Sequence, residues 1–194
     1  MKTFRIRLFS ALLLLSVVLL PGATGAERLL IVGKSRQQAL ELMARSEAPA
    51  CFAAFFEARA CDFEDIPYGS GGRGLKEGQT LVNLERMDCL TFVENVLALG
   101  LAARDSVGEG SARFARFTRA LKAIRHYGGQ AETWDDRIWY FVHELEQLEA
   151  MGLAVNIAAI NGEPFHKPMH YLSDNRQAYR GIRDWVRMGQ RERE

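Results

Sequence analysis

The chain has 194 residues, 48% of them hydrophobic and 25% charged, the make-up of an ordinary globular protein and not of a disordered, collagen-like or disulfide-dense one. Lysine and arginine number 25 against 24 acidic residues, a net charge of +1, and no stretch concentrates the positive charge. Nucleic acid is therefore excluded as an expected partner.

Lys2, Arg5 and Arg7 precede an apolar stretch from Leu8 to Leu20, broken by Pro21 and Gly22 and followed by the small residues Ala23 to Ala26. A charged start, a short apolar core and a small-residue cleavage region predict a signal peptide over residues 1–26. The apolar core is shorter than the roughly 20 residues of a spanning helix, so no stable membrane anchor is expected after cleavage. The expected location is periplasmic or secreted, with residues 27–194 forming one domain.

Residues 35–46 place Ala39, Leu40, Leu42 and Met43 on one helical face, with Ser35 as the expected N-cap. Ala48 to Ala60 reads as a second helix. Ten residues of helix hold two α-carbons about 15 Å apart, whereas a disulfide needs them within about 7 Å. Cys51 and Cys61 therefore pair only if that helix ends early; otherwise Cys51 is a small buried apolar group. Ile66-Pro67-Tyr68 and the glycines at 69, 71, 72 and 74 predict an irregular loop.

From Asp88 onward, Leu90, Val93, Val96, Leu97 and Leu101 recur at helical spacing, with Cys89 in the first turn. Further helices are expected from Ala112 to Ile124, ended by Gly128-Gly129, and from Trp139 to Met151, ended by Gly152. Ala154 to Ile160 and Pro168 to Leu172 read as the strands of a short β-hairpin, and the charged tail from Arg187 as a fraying end.

Cys89 is the candidate nucleophile. A thiol at a helix N-terminus meets the positive end of the helix dipole and unpaired N–H groups, both of which favour thiolate. Asp88 beside it is a helix cap or a group that holds a substrate amine, since a carboxylate facing the sulfur would oppose ionisation. Four histidines are present. His126 sits at a helix end, where an imidazolium suits the dipole. His143 lies on a helix, and Gln147 four residues on excludes a zincin pair. His166 and His170 flank Pro168 and on a strand would stand about 13 Å apart. No metal site and no cofactor is expected, and His170 is the least unsuitable base among the four.

Pro67-Tyr68, the glycine-rich loop and Asp88-Cys89 resemble the N-terminal half of the papain-like cell-wall cysteine peptidases of the NlpC type. Leu81-Val82-Asn83-Leu84 and Asp88-Cys89-Leu90-Thr91-Phe92-Val93-Glu94 more closely resemble the bacterial N-acetylmuramoyl-L-alanine amidase-like family. Arg137, Tyr140, Phe141, Gly152, Gly162-Glu163-Pro164-Phe165, Tyr171-Leu172-Ser173 and Tyr179 extend the likeness to about residues 66–179. The resemblance implies an α+β fold: a papain-like, mostly helical half with a short β-hairpin and an incomplete sheet. It implies Cys89 as nucleophile toward an amide of a peptidoglycan-derived peptide, Tyr68 as a group binding substrate or oxyanion, and Asp88 as the holder of the peptide amine. Thr91, Glu94 and Asn95 are expected to be structural, with Glu94 paired locally. The family's catalytic histidine lies on a strand downstream of the segment matched, so the chain is expected to be C-terminally truncated relative to the family. An unpaired sheet edge would then call for a partner or self-association to cover it. The competing expectations are a catalytically silent binder of cell-wall peptides and a structural exported protein.

Overall fold

The structure is a computed structural model that describes residues 28–45, 52–69, 74–104, 110–157, 162 and 167–193. The expected signal peptide, Cys51 and His166 lie outside the described residues.

The chain opens with β1 (Leu29–Ile31), then α1 (Ser35–Ala44) and α2 (Phe52–Cys61), and returns as β2 (Thr80–Val82). β1 and β2 pair in parallel, Leu29 with Thr80, Leu30 with Leu81 and Ile31 with Val82. Parallel neighbours need a long crossover, which α1 and α2 supply. β2 is buried throughout, which suits its apolar Leu81-Val82 pair. α3 (Cys89–Arg104) follows, and its residues from Glu94 to Gly100 are all buried because α1, α2 and α4 (Ser111–Arg125) pack around it, α4 also meeting β2. The expected stripe of Phe114, Phe117, Leu121 and Ile124 on α4 forms the other half of this core.

Gly128 and Gly129 end α4 as expected, at φ values of 60° and 69° that favour glycine, in a 3-10 turn over Tyr127–Gly129. A second 3-10 turn, Trp134–Asp136, leads to α5 (Phe141–Ala150). Gly152 closes α5 at a φ of 68°: the N–H of Leu153 donates to Leu148 O at 2.9 Å and that of Gly152 to Glu149 O at 2.9 Å, a Schellman ending.

Several expectations are corrected. Tyr171 and Leu172 open a helical turn, α6 (Tyr171–Asp174), and residues 154–156 have no regular structure, so no hairpin is formed among the described residues; 158–160 of the first expected strand lie outside them. Both N–H groups at 172 and 173 donate to one carboxylate oxygen of Glu192, at 3.0 and 3.1 Å, which favours a helix N-terminus over a strand. The sheet is instead the parallel pair β1 and β2, whose three-residue runs are too short for periodicity to reveal. The tail does not fray: α7 (Trp185–Arg191) buries Met188, and Glu192 beyond it is buried too. Asp184 caps α7 by accepting from the N–H of Arg187 at 2.8 Å. Ser35 is no cap; its hydroxyl accepts the N–H of Leu84 at 2.9 Å and so ties α1 to the segment after β2. The result is a mostly helical α+β arrangement with one small parallel sheet among the described residues.

Leu172, Ile182 and Met188 form a second, smaller cluster against Trp134, Trp139, Tyr140, Tyr179 and Trp185. Tyr68, Phe141, Val142, Val155, Ile157, Tyr171 and Val186 remain exposed. Among the described residues no helix is long and apolar enough to cross a membrane.

Candidate active site

The site begins with the cap of α3. The Asp88 carbonyl accepts the first helical bond, from Phe92 N–H at 2.9 Å, so Asp88 is the N-cap and Cys89 the first helical residue. Asp88 Oδ1 accepts the Thr91 N–H at 2.8 Å and the Thr91 hydroxyl at 2.7 Å. Thr91 Oγ1 in turn accepts the Asp88 N–H at 2.9 Å. This reciprocal pair satisfies two backbone donors, with Thr91 in the place that Glu holds in a capping box.

The glycine-rich loop reaches the cap by main-chain pairing. Met87 N–H donates to Pro67 O at 3.3 Å, and Gly69 N–H donates to Met87 O at 3.0 Å, which sets Tyr68 beside Met87. Asn83 prepares the approach: its Oδ1 accepts the N–H groups of Glu85 and Arg86 at 3.0 and 3.1 Å and turns the chain out of β2. Asn95 on α3 fixes that turn, donating to Asn83 O at 3.2 Å and to Met87 Sδ at 3.2 Å. The expected structural roles of Thr91 and Asn95 thus take a definite form.

These elements enclose an open cleft of about 180 Å³ lined by Phe63, Ile66, Tyr68, Met87, Asp88, Cys89 and Phe92. All three residues expected around the reaction centre, Cys89, Tyr68 and Asp88, therefore share one depression. Cys89 is an exposed free thiol, and Tyr68 is 76% exposed. Phe63 and Phe92 pack edge to face at 6.2 Å and form its apolar floor. Cys61, at the end of α2, is also exposed and free, and α2 continues through it.

The histidines stand elsewhere. His126 ends α4 as expected but carries no charge: burial pushes its imidazole down to about 3, Arg137 adds to the effect, and its Nδ1 lies 3.1 Å from Lys122 O. His143 is buried on α5, its Nδ1 2.8 Å from the Tyr127 hydroxyl. His170 is exposed and sits at the start of α6, and it is not among the residues lining the cleft. No group of three or more His, Cys, Asp or Glu side chains among the described residues is placed to hold a metal ion.

Glu94, five residues along α3 from Cys89, does not pair locally. It meets Arg125 Nε at 2.5 Å and Arg137 Nη2 at 2.8 Å, across 31 and 43 residues of chain. Burial alone would raise its carboxyl, but the two guanidinium charges hold it below its ordinary value. Arg125 also donates to the carbonyl of Leu81 in β2. Arg125 and the buried Glu144 of α5 escaped the reading of the sequence. The signal for Glu144 was its place four residues before Leu148, on the face that α5 turns to the core.

The family model for N-acetylmuramoyl-L-alanine amidase-like (AmiA-like) proteins matches residues 60–187. The chain belongs to that family. Its match spans the cleft, Glu94 and Glu144, and most of the second cluster, and leaves out β1, α1 and Glu192. Among solved structures, an N-acetylmuramoyl-L-alanine amidase from Bacteroides uniformis superposes with a TM-score of 0.59 at 19% identity, over 71% of this chain and 59% of the other. A second structure so named, from the same organism, gives 0.56 at 17%, over 82% and 60%. A Bacteroides fragilis protein provisionally named a xylanase gives 0.58 at 24%, over 70% and 59%. At these identities the likeness is one of fold. The chain spans about three-fifths of the length of these structures. No curated protein matches it significantly.

Proposed function

We propose that this amidase-like chain carries the nucleophile of an exported, cysteine-dependent amidase acting on peptidoglycan-derived peptides. The observation that carries the reading is the shared cleft, in which an exposed thiol at a helix N-terminus meets Tyr68 and Asp88. The Cys89 sulfur, as thiolate, attacks the amide carbonyl, and the electron pair of the C=O bond moves onto oxygen. The Tyr68 hydroxyl is the cleft's donor for that oxyanion or for the substrate. Collapse expels the amine, which takes a proton, and water then cleaves the thioester. Asp88 Oδ1 is engaged by Thr91, so Oδ2 is the oxygen offered to the amine of the peptide. The domain assignment, the leader over residues 1–26 and a periplasmic or secreted location belong to the same proposal, as do the NlpC-type relationship and a partner or self-association covering an exposed sheet edge.

The base is the open part of the reaction, because no imidazole lines the cleft among the described residues. That observation favours a second reading, a silent binder of cell-wall peptides. Both are tested by incubating the chain with a purified muropeptide and following its mass. Separation into sugar and peptide, lost in Cys89→Ala, supports the amidase. An intact muropeptide that nonetheless raises the thermal midpoint in proportion to its excess over Kd supports the binder. Neither cleavage nor a shift overturns both.

A further inference from the structure

The helix that carries Cys89 is anchored by a knot of buried charge for which the amidase reading has no use. Glu94 of α3 lies five residues beyond Cys89, and its ion pairs join α3 to Arg125 of α4 and to Arg137 in the segment before α5. Through the Leu81 carbonyl, Arg125 extends the tie to β2. Into the same knot α5 brings Glu144. Its exposure is 0%, and among the described residues neither carboxylate oxygen has a hydrogen-bond partner. A carboxylate so placed would forfeit both water and hydrogen bonds, a situation that proteins resolve by keeping the group protonated.

The groups acting on Glu144 are Glu94 of α3, Arg137, Arg125 of α4 and the cap residue Asp88. Burial pushes its carboxyl up to about 8, Glu94 adds to this, and Arg137 opposes it. While Glu144 keeps its proton, two guanidinium groups face one ionised carboxylate, Glu94. An ionised Glu144 would neutralise the surplus, and it draws most on Arg137, the more exposed of the two arginines, whose further bond, from Nη1 to Arg125 O, is long at 3.4 Å.

We propose that Glu144 is a proton-dependent positioning residue for Cys89. With its proton, it leaves Arg137 on Glu94 and the first turns of α3 pinned. Without it, Glu144 competes for Arg137, the Glu94 tie slackens, and the Asp88–Cys89 end of the helix loosens. Glu144 touches no substrate; it acts through Arg137 and Glu94. The proposal rests on Cys89 being the reactive group, yet both of its readouts dispense with substrate, so a failed muropeptide assay leaves it standing or falling separately.

Infrared spectroscopy of the whole chain should show a protonated-carboxyl C=O band at neutral pH that disappears with a midpoint near 8 and is missing in Glu144→Gln. Hydrogen exchange at Phe92 and Val93, corrected for the intrinsic rate, should lose protection over the same interval. One unit above the midpoint the ionised form outnumbers the protonated one about tenfold, so the loss is then nearly complete. In Glu144→Gln that protection should not change with pH. Arg137→Gln is the second variant: without the guanidinium that favours ionisation, the band's midpoint should move upward. Matching exchange profiles in the wild type and Glu144→Gln, or an unmoved midpoint in Arg137→Gln, would overturn the proposal.

Discussion

The hydroxyl of Tyr140 donates to Glu192 Oε1 at 2.7 Å, joining the start of α5 to the end of the described chain across 52 residues. The same oxygen receives the N–H groups of Leu172 and Ser173, so one buried carboxylate organises α5, α6 and α7 together. Burial would raise the Glu192 carboxyl, but hydrogen bonds from Ser173, Tyr140 and Leu172 hold it below its ordinary value. Glu192→Ala leaves those donors unpaired and should destabilise the chain by about 1–3 kcal/mol, as read from urea unfolding. Because the folded value lies below the unfolded one, the wild-type contribution is present above the ordinary carboxylate range and lost as pH falls. The variant should show less of that acid sensitivity.

Breaking the Glu94 pairs should have a larger effect. Glu94→Gln takes from Arg125 and Arg137 the carboxylate that pairs with them directly and leaves Glu144, which has no hydrogen bond to either, as the nearby acid; such a loss amounts to about 3–5 kcal/mol. The pair between Arg183 and Glu77, at 2.6 Å, looks tighter than the Arg137 pair, but the Arg183 side chain is 72% exposed. Arg183→Ala should therefore change stability by less than about 1 kcal/mol. Equal effects in denaturant melts would contradict this account of burial.

His126 predicts a pH dependence of its own. Its folded value of about 3 lies below the ordinary 6.5, so below pH 6.5 the unfolded chain binds the proton first. Stability should fall as pH drops from 6.5 toward 3, by up to about 1.4 kcal/mol per unit. His126→Gln cannot bind that proton, and its thermal midpoint should vary less over the same interval.

Cys89 and Cys61 provide an internal comparison. Both are exposed and free, but Cys89 opens α3 whereas Cys61 ends α2. The helix dipole favours an anion only at the first of these positions. Iodoacetamide should therefore modify Cys89 faster than Cys61, as followed by peptide mapping. Equal rates would remove the dipole argument for a nucleophile.

Asp88 has two expected roles that substitution separates. Asp88→Ala removes the cap and should lower stability by about 1 kcal/mol. Asp88→Asn retains an oxygen acceptor for Thr91, so the loss should be small, but it removes the charge that meets a peptide amine. If the amidase reading is right, this variant raises KM for muropeptide while its melting curve stays near that of the wild type.

The sequence by itself determined the long helices, because apolar residues at spacings of three and four mark α3 and α4. It also determined where α4 and α5 stop, since Gly128, Gly129 and Gly152 adopt positive φ. The start of α3 was legible from where that apolar spacing begins, which put Cys89 in the first turn, whereas Asp88 read as a cap or as a holder of a substrate amine. The meeting of Tyr68 with Cys89 followed only from resemblance, and the geometry behind it is Pro67 and Gly69 pairing with Met87. Tertiary structure decided the rest. Three-residue strands carry no readable period, so β1 and β2 emerged only from their pairing. Tyr171 and Leu172 have strand-like side chains but turn into a helix because Glu192, distant in sequence, accepts their segment's free N–H groups. The partners of Glu94 and the isolation of Glu144 were equally out of reach, because the energy of a charge depends on what surrounds it in space and not on its neighbours along the chain.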